Sequence, residues 1–537
     1  MATSAITPTQ RTRSHTIATW LVSSFFVAGL LLRLRLAWTT FLNPDEALHY
    51  FLAQQSSLKA AYDASLTTAH PPLMILLLHS WSRLGSSEFV LRLPFVIAGS
   101  LFCWFMFLWV REVAGRVAGW FSLALCLFLP ALVSLSAEIR QYALLLLFCA
   151  CSLYFMERAL SETSAKWMTF SALALYLALL THYSALIFAA AVGMYGVIRL
   201  VQIGRPAKLT GLWIATQLGA FAICAFLFES QVSKLRHSGL PSEIAATWLR
   251  NSILQPGENF FGFAWTRTLR LFRYFFSHGT IGVLGLLLFA FAVVAMLWPA
   301  RRLGRKRHPA LALLLLLPFL LTLVASITGL YPYGGTRHDV LLAMFAVPGV
   351  AIGLDRLRLG RMGAAIGIKS ASLAAALIIC NLFSSPSGPY IAPRNQQRNL
   401  MREAVNFLNL LPPGSTIFTD QQGSMVLNYY LCGEQMPLTY SEQTQPFLRL
   451  RCGEYAVINA ANTQTGFNRV TFPALLQQLW QSQPQTSSIY LFQSGWINDK
   501  EENWLAELRA LGGTPQNFGP NILVCQLSKP VSLDHQP

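Results

Sequence analysis

The chain has 537 residues, a formal net charge of +17 and 54% hydrophobic residues, but only 12% charged residues. A soluble domain carries about 25% charged residues, so this composition excludes an ordinary water-soluble protein and favours a membrane protein. The plentiful aromatic residues exclude a disordered chain, and nine Cys in this length exclude a small disulfide-framework protein. Basic charge can also indicate nucleic-acid binding, so its distribution along the chain decides between a membrane protein and a nucleic-acid-binding protein.

The positive charge lies in the first two thirds of the chain. Residues 1–383 carry a net charge of +18, whereas residues 384–537 carry −1. This change from a hydrophobic, basic part to a polar, neutral part predicts a domain boundary after residue 383. We expect a mainly α protein, with a polytopic helical membrane domain over 1–383 and a small soluble α/β domain over 384–537.

Apolar runs of about 17–25 residues are long enough to span a bilayer as helices. The first domain contains eleven candidates, of which the fifth and tenth are short, so we predict about eleven transmembrane helices. In chain order the runs are 17–37, 91–110, 117–136, 141–157, 167–181, 184–200, 209–228, 279–298, 309–329, 339–354 and 365–383.

The side of the membrane on which each connection lies follows from the number of spans that precede it. If the N-terminus is inside, every short inside connection is basic, which is the positive-inside pattern. The run at 301–307 is then a topology anchor and not a nucleic-acid site. The same parity places the loops 38–90, 229–278 and 330–338, and the C-terminal domain, outside. The inside residues are Arg11, Arg13, Arg111, Arg116, Arg158, Lys166, Arg199, Arg205, Lys208, Arg301, Arg302, Arg305, Lys306, Arg307, Arg356, Arg358 and Arg361.

The C-terminal part alternates helical and strand-like patterns. Helical spacing covers 399–411, 471–481 and 501–511, and short apolar runs cover 416–418, 455–458, 489–492 and 522–526. This alternation predicts a small α/β domain. It contains no catalytic fingerprint, which favours a structural or acceptor-guiding role. Cys432 and Cys452 either form a disulfide on the outside or remain buried free thiols.

The first outer loop begins with Asn43-Pro44-Asp45-Glu46, directly after the first span. Two adjacent carboxylates at the membrane edge are costly unless they are paired or used. Asp45 and Glu46 are therefore candidate catalytic residues. The alternative is structural, because Asp45 beside Pro44 could cap a helix that starts at Glu46.

The same loop continues with His70-Pro71-Pro72, and Arg92 opens the second span. Each signal is weak alone. His-Pro-Pro also marks a turn before a helix, and an interfacial Arg usually extends to the headgroups. On the outer face, however, both residues are candidates for binding an anionic substrate.

Two further outer turns carry similar residue types. Glu138 and Arg140 lie in a very short turn between two spans, where they could also simply pair with each other. Glycines at 334–335 precede Arg337 and His338 in the turn after the ninth span. Backbone N–H groups of such a turn, with an Arg and a His, form a candidate anion cradle, although the glycines could serve a tight turn alone. Together these groups suit a substrate with a phosphate head and a lipid tail.

The order of these features resembles the GT-C membrane glycosyltransferases, and family 39 in particular. That group includes protein O-mannosyltransferases, aminoarabinose transferases acting on lipid A and bacterial RgtA/B/C/D-like enzymes. One departure is His70, where the aminoarabinose-transferase relatives carry Lys, so the phosphate ligand there is in question or its pH dependence differs. The matching pieces are Asp45-Glu46, His70-Pro71-Pro72, Arg92-Leu93-Pro94, Glu138-Ile139-Arg140-Gln141-Tyr142 and Gly335-Thr336-Arg337-His338, within about residues 17–340.

The resemblance implies a glycosyltransferase in the bacterial inner membrane. It would move a sugar from a polyprenyl-phosphate donor to an extracytoplasmic glycolipid, polysaccharide or protein, with inversion at the anomeric carbon. A phosphate leaving group is a weak base, so catalysis needs charge stabilisation and, for a hydroxyl acceptor, a general base. The expected phosphate-binding residues are Arg140, Arg337, His338, His70 and Arg92.

Asp45 is the expected general base, with Glu46 or Glu138 positioning it or the acceptor. If the acceptor is itself a phosphate, no base is needed and Asp45 would only orient. The resemblance requires no cofactor and no metal, although some GT-C relatives hold a metal with carboxylates. The expected partners are the lipid-linked sugar, the acceptor and the bilayer, without nucleic acid.

Two alternatives remain open. A lipid-linked-sugar transporter or flippase would favour ionisable residues at mid-membrane, whereas most of these predicted spans have no ionisable residue near their middle. An O-antigen-ligase-type enzyme would place its key basic residues in a late outer loop. The loop 229–278 does contain several Lys and Arg, but that interpretation leaves the early pair Asp45 and Glu46 unexplained.

Overall fold

The chain forms two compact units in a computed structural model. The first comprises Met1–Arg35, Ala69–Met74 and Arg92–Ile391, and the second comprises Leu36–Thr68, Ile75–Leu91 and Ala392–Pro537. The predicted basic anchor at 301–307 and the residues that follow the predicted boundary, 384–396, lie outside the described residues, so that boundary stays a prediction. The structure describes residues 8–237, 249–276, 279–298, 308–358, 363–383, 397–433, 446–460, 463, 466–467, 470–495, 502–519 and 521–529.

The described part of the first unit is helical. The long outer loop predicted over 229–278 contains a 16-residue amphipathic helix, Phe260–Phe275. A 3-10 turn, Arg337–Leu342, leads directly into the helix after it. The helices are Pro8–Thr39, Glu88–Ala114, Arg116–Phe128, Pro130–Ser136, Tyr142–Glu162, Ala165–Leu179, Ala185–Gln202, Ala207–Leu227, Ser233–His237, Phe260–Phe275, Gly279–Leu297, Pro309–Ile327, Ala343–Arg358 and Gly363–Phe383.

Each of the eleven predicted apolar runs coincides with helix in this unit, and the 117–136 run is a bent pair. Within the described residues, seven helices are long and apolar enough to cross a membrane, and the bent pair gives an eighth. Large apolar side chains on these helices face outward, such as Phe221 at 74% and Leu287 at 62% exposure. Exposed apolar surfaces on helices of this length are typical of contact with a membrane. The chain is therefore a multi-pass membrane protein, and its predicted fold class is confirmed.

The bent span depends on Pro130. The pair Arg116–Phe128 and Pro130–Ser136 bends by 59°, and the residue between them, Leu129, is extended (ψ 122°), as a residue before proline prefers. The break leaves carbonyl groups unpaired inside the helical bundle. The fully buried Arg33 guanidinium donates to two of them, Leu127 O at 2.9 Å and Cys126 O at 3.0 Å. A cation inside the membrane region is thus accounted for structurally.

The second unit contains a six-stranded sheet. Its strands are β1 Thr416–Thr419, β2 Phe447–Cys452, β3 Tyr455–Ala460, β4 Ser488–Ser494, β5 Thr514–Asn517 and β6 Ile522–Ser528, in the order β2-β3-β1-β4-β6-β5. β1 pairs in parallel with β3 and β4, and the other pairs are antiparallel. The helices are Pro44–Ala53, Leu58–Ser65, Leu73–Trp81, Arg398–Asn409, Gln421–Leu427, Phe472–Ser482 and Glu502–Ala510.

Both faces of the sheet carry a hydrophobic layer, because successive strand residues point to opposite faces. Phe418 packs with Phe472 and Trp480 on one face. Ile417 packs with Met401 on the other. The four predicted strands and three predicted helices of this region are confirmed, whereas the edge strands β2 and β5 and the helix Gln421–Leu427 were not predicted. Cys432 and Cys452, whose pairing the sequence left open, form a disulfide.

Asp420 is a fully buried carboxylate at the carboxyl end of β1. It caps the helix Gln421–Leu427, because its Oδ1 accepts the Gly423 N–H at 2.7 Å. Its Oδ2 accepts from the Gln493 amide at 3.4 Å, and Gln493 in turn accepts from the Trp504 indole at 2.8 Å. Burial raises the pKa of Asp420 to about 6, although these hydrogen bonds oppose the shift.

This raised pKa predicts how stability depends on pH. The unfolded carboxyl loses its proton near pH 3.9, and the folded one near 6. Folding therefore takes up a proton between these values, and the stability of the second unit falls by about 2 kcal/mol as pH rises from about 4 to about 6. Asp420→Asn keeps a capping acceptor but does not titrate, so it should flatten this dependence.

The measurement is amide hydrogen exchange of the β1 and β4 peptides in the full-length protein between pH 4 and pH 7, corrected for the intrinsic exchange rate. Asp63→Asn is the matched control, because Asp63 is 53% exposed and pairs only with the neighbouring helix residue Lys59 among the ion pairs described. An Asp420→Asn profile as steep as that of the wild type would contradict the assignment.

Candidate functional site: an acidic helix and a buried histidine–arginine cluster

The acidic pair lies at the start of the helix Pro44–Ala53, in the second unit. The residue that caps this helix is Asn43 and not Asp45, as the structural alternative supposed. The Asn43 Oδ1 accepts the Glu46 N–H at 3.0 Å, and the Glu46 Oε2 accepts the Asn43 N–H at 3.0 Å. This reciprocal capping box uses one of the two carboxylates for structure. Glu46 is fully buried, whereas Asp45 is half-buried.

The C-terminal segment holds both ends of the loop that carries this helix. The Tyr430 hydroxyl accepts the Leu42 N–H at 2.9 Å and donates to Glu88 Oε1 at 2.9 Å. Arg398 pairs with the second Glu88 oxygen at 2.9 Å. A Cβ at Gly495 would lie 2.6 Å from the Pro44 ring, so the end of β4 packs directly on the helix start. The location of Asp45 thus depends on the folded C-terminal segment.

Glu138 and Arg140 lie in the predicted short turn of the first unit. The turn is closed by a hydrogen bond from the Arg140 N–H to the Glu138 carbonyl at 2.8 Å. Ser134 donates to the Glu138 carboxylate at 3.2 Å. Arg140 is 3% exposed, and its guanidinium lies 5.6 Å from the centre of the Tyr142 ring. A buried cation in this turn creates a positive potential around it.

His70 lies next to this turn. The Gln141 amide nitrogen is 3.2 Å from both ring nitrogens of His70, and the Gln231 amide donates to the His70 carbonyl at 2.9 Å. The His70 ring stacks on His182 at 5.6 Å between centres. Gln141 belongs to the motif Glu138-Ile139-Arg140-Gln141-Tyr142, whereas no sequence signal connects Gln231 with a loop 161 positions away.

His182 is 3% exposed. The Ser184 N–H points at Nδ1 from 3.1 Å, so the hydrogen-bond pattern assigns the proton of the neutral ring to Nε2. Burial, and secondly the positive charge of Arg140, lower the pKa of His182 to about 3. At physiological pH the ring is therefore an uncharged N–H donor.

His338 joins the cluster from the turn after the ninth span. Its Nδ1 is 3.5 Å from the Tyr142 hydroxyl, and its carbonyl accepts from the Tyr331 hydroxyl at 2.8 Å. Arg337 starts the 3-10 turn and is 7% exposed. Of the predicted phosphate-binding residues, His70, Arg140 and His338 are thus brought together around Tyr142 and His182.

The glycine turn at 334–335 does not offer the free anion cradle that the sequence predicted. Asp339 Oδ2 accepts the N–H groups of Gly334, Gly335 and Thr336 at 3.3, 3.0 and 2.9 Å, and the Thr336 hydroxyl at 3.1 Å. The backbone groups do bind an anion, but it is a carboxylate of the same chain. Gly335 is required here, because its φ is +83° and a Cβ would lie 2.5 Å from the Arg270 carbonyl oxygen.

The structure also corrects the prediction for Arg92. The helix begins at Glu88, so Arg92 lies one turn inside it and does not open it. Its side chain is 1% exposed, which excludes the expected extension to the lipid headgroups. Its role in binding phosphate remains a prediction. Among the residues that the structure describes, no three His, Cys, Asp or Glu side chains gather as metal ligands would.

A family described as dolichyl-phosphate-mannose-protein mannosyltransferase matches residues 69–228. The matched segment contains His70, Arg140 and His182, but neither Asp45 nor Arg337. It covers less than half of the chain, so it supports the family resemblance without establishing membership. A search of curated proteins found no match.

Solved structures resemble a larger share of the chain. ArnT from Cupriavidus metallidurans, in the apo state and bound to undecaprenyl phosphate, is 15% identical over 96% of this chain and 100% of its own, with a TM-score of 0.52. The oligosaccharyltransferase AglB from Archaeoglobus fulgidus, in complex with an inhibitory peptide and a dolichol-phosphate, is 13% identical over 88% of this chain and 69% of its own. Its TM-score of 0.46 is too low to carry an argument. The likeness to ArnT confirms the predicted GT-C-like fold.

Removing the Tyr430 hydroxyl tests what holds the acidic helix. Tyr430→Phe leaves the buried Leu42 N–H and the Glu88 carboxylate each with one hydrogen bond fewer, which should destabilise residues 41–53 by about 1–3 kcal/mol. Amide exchange in this segment of the full-length protein should accelerate about tenfold or more. Tyr455→Phe is the control, because its hydroxyl donates only to the carbonyls of Asn409 and Leu411. Equal exchange in both variants would refute the role of Tyr430.

Proposed function

We propose that the chain is a membrane glycosyltransferase that moves a sugar from a polyprenyl-phosphate donor to an extracytoplasmic acceptor, with inversion at the anomeric carbon. The single observation that carries the proposal is the cluster of His70, Arg140, Tyr142, His182 and His338 where the helices of the first unit end. Its central residues Arg140, Tyr142 and His182 are buried. Its cationic and N–H groups suit a phosphate, and the apolar helices beside it suit a lipid tail.

The comparisons support a lipid-linked donor. The matched family is described by a dolichyl-phosphate-linked sugar, and the matched segment contains most of the cluster. ArnT, which shares the fold, is bound to undecaprenyl phosphate in one of its structures. A polyprenyl phosphate combines the two properties that the cluster and its helices select, an anionic head and a long apolar chain.

In the proposed reaction, Arg140 and Arg337 stabilise the phosphate as it departs with the electron pair of the sugar–oxygen bond. The neutral His182 donates from Nε2, and His70 and His338 add polar contacts. Asp45 is the proposed base that takes the proton of a hydroxyl acceptor. Glu46 supports Asp45 by fixing the helix start, since its own carboxylate is used in the capping box. A phosphate acceptor would need no base.

The orientation follows from charge and from cysteine chemistry. The basic connections support an orientation with the C-terminal segment outside, which for a bacterial inner membrane is the periplasm. The Cys432–Cys452 disulfide supports this orientation, because disulfides persist in oxidising compartments. The cytoplasmic N-terminus follows from the same parity.

The alternatives are less well supported. A transporter would use ionisable groups at mid-membrane, but Arg33 is bonded to the carbonyls that the Pro130 break exposes. An O-antigen-ligase-type enzyme would use the basic residues of the 229–278 loop. Of these, Arg267 is paired with Glu258 at 3.4 Å and lies over the Phe263 ring, which are structural contacts.

The base is tested by Asp45→Asn, which keeps the shape and removes the proton acceptor. In membranes, transfer from polyprenyl-phosphate sugars to a hydroxyl acceptor should fall by about 10²–10⁴-fold with little change in donor affinity. Arg337→Ala should instead weaken donor binding. Asp63→Asn, an exposed acid of the same loop, is the matched control. Undiminished transfer by Asp45→Asn would remove it as the base.

Topology is tested separately. A reporter fused after residue 383 should be active on the extracytoplasmic side, and one fused after Arg205 should be active in the cytoplasm, because an odd and an even number of spans precede these residues. A cytoplasmic signal from the fusion after residue 383 would overturn the proposed location of the site.

A further inference from the structure

One polar group of the first unit is unused by the proposed mechanism. The Tyr274 side chain is 4% exposed, and its hydroxyl has no hydrogen-bond partner among the residues that the structure describes. Buried hydroxyls are nearly always hydrogen-bonded, because desolvation without a partner costs free energy. This hydroxyl is therefore a candidate for contact with a ligand.

Tyr274 lies near the end of the amphipathic helix Phe260–Phe275. That helix contacts Pro130–Ser136, which leads into the Glu138 turn, and Pro130–Ser136 also contacts the 3-10 turn Arg337–Leu342. The close approach of Gly335 to the Arg270 carbonyl, one helical turn before Tyr274, places the glycine turn directly on this helix. The Glu138 turn and the continuous stretch 334–342 thus lie near the helix that carries Tyr274.

The charged and polar groups around the Tyr274 hydroxyl agree with its position near these turns. Burial raises the pKa of Tyr274 well above its usual range, Tyr142, Glu138 and Asp339 raise it further, and Arg337 opposes them. The hydroxyl therefore keeps its proton at physiological pH and can only donate to an anion. Since Arg337 acts on it, a single anion could contact both groups.

We propose that the Tyr274 hydroxyl binds the phosphate of the lipid-linked donor, as a neutral hydrogen-bond donor beside Arg337. This assignment rests on the proposed function. A phosphate oxygen would supply the acceptor that the buried hydroxyl lacks. When the bond between the anomeric carbon and the phosphate oxygen breaks, its electron pair stays on the phosphate, and the hydrogen bond strengthens as that charge grows. The acceptor oxygen forms the new bond and its proton passes to Asp45.

The test is Tyr274→Phe, which removes only the oxygen atom. The purified full-length protein in detergent is titrated with undecaprenyl phosphate, and the Kd is read from intrinsic tryptophan fluorescence. We expect the Kd to rise about tenfold or more, because a hydrogen bond to a charged group is lost. Without lipid, the thermal midpoint should be unchanged or higher, since the variant no longer buries an unpaired hydroxyl.

Tyr176→Phe is the matched control. Its hydroxyl donates to the Thr216 carbonyl at 3.1 Å in another part of the first unit, so its loss should leave the Kd unchanged. If Tyr274→Phe binds undecaprenyl phosphate as tightly as the wild type does, the assignment of Tyr274 is overturned while the proposed function stands. If the wild type does not bind undecaprenyl phosphate, the proposed function and this inference fail together.

Discussion

The first unit depends on how the broken span around Pro130 satisfies its backbone. Within a bilayer no water is available for carbonyl groups that a helix break exposes, so another part of the protein must supply donors. Arg33 does this from the first helix, and its charge is compatible with burial because the Leu127 and Cys126 carbonyls surround it. The break also redirects the chain just before the Glu138 turn. One proline and one arginine far apart in sequence therefore set the orientation of a candidate site.

Charge in this protein has two separate uses. The basic residues of the short connections predicted to be inside flank the spans and are proposed to set orientation, whereas Arg140 and Arg337 are buried. A buried cation is costly unless something compensates it. Burial, and secondly the positive charge of Arg140, favour the neutral ring of His182, and an anionic ligand would offset the charge of Arg140. This is the physical argument for the proposed binding of a phosphate at the cluster.

Much of the fold could be predicted from hydrophobic periodicity. The spans, four strands and three soluble helices follow from it, because each buries a continuous apolar run or stripe. β5 could not be predicted, since its Thr514–Asn517 segment has no apolar alternation. In the site, the residue types were predictable but their partners were not. The capping box of Asn43, the contact of Gln231 with His70, and the burial of Arg92 depend on tertiary packing that no local pattern encodes.

The Asp339 carboxylate has a further consequence for the turn at 334–336. Its Oδ2 accepts hydrogen bonds from the backbone N–H groups of that turn, so the turn is ordered without a bound lipid. The conformational entropy of the two glycines is therefore lost during folding and not when a ligand binds. A donor bound to Arg337 and His338 as proposed would therefore not lose affinity to the ordering of this turn.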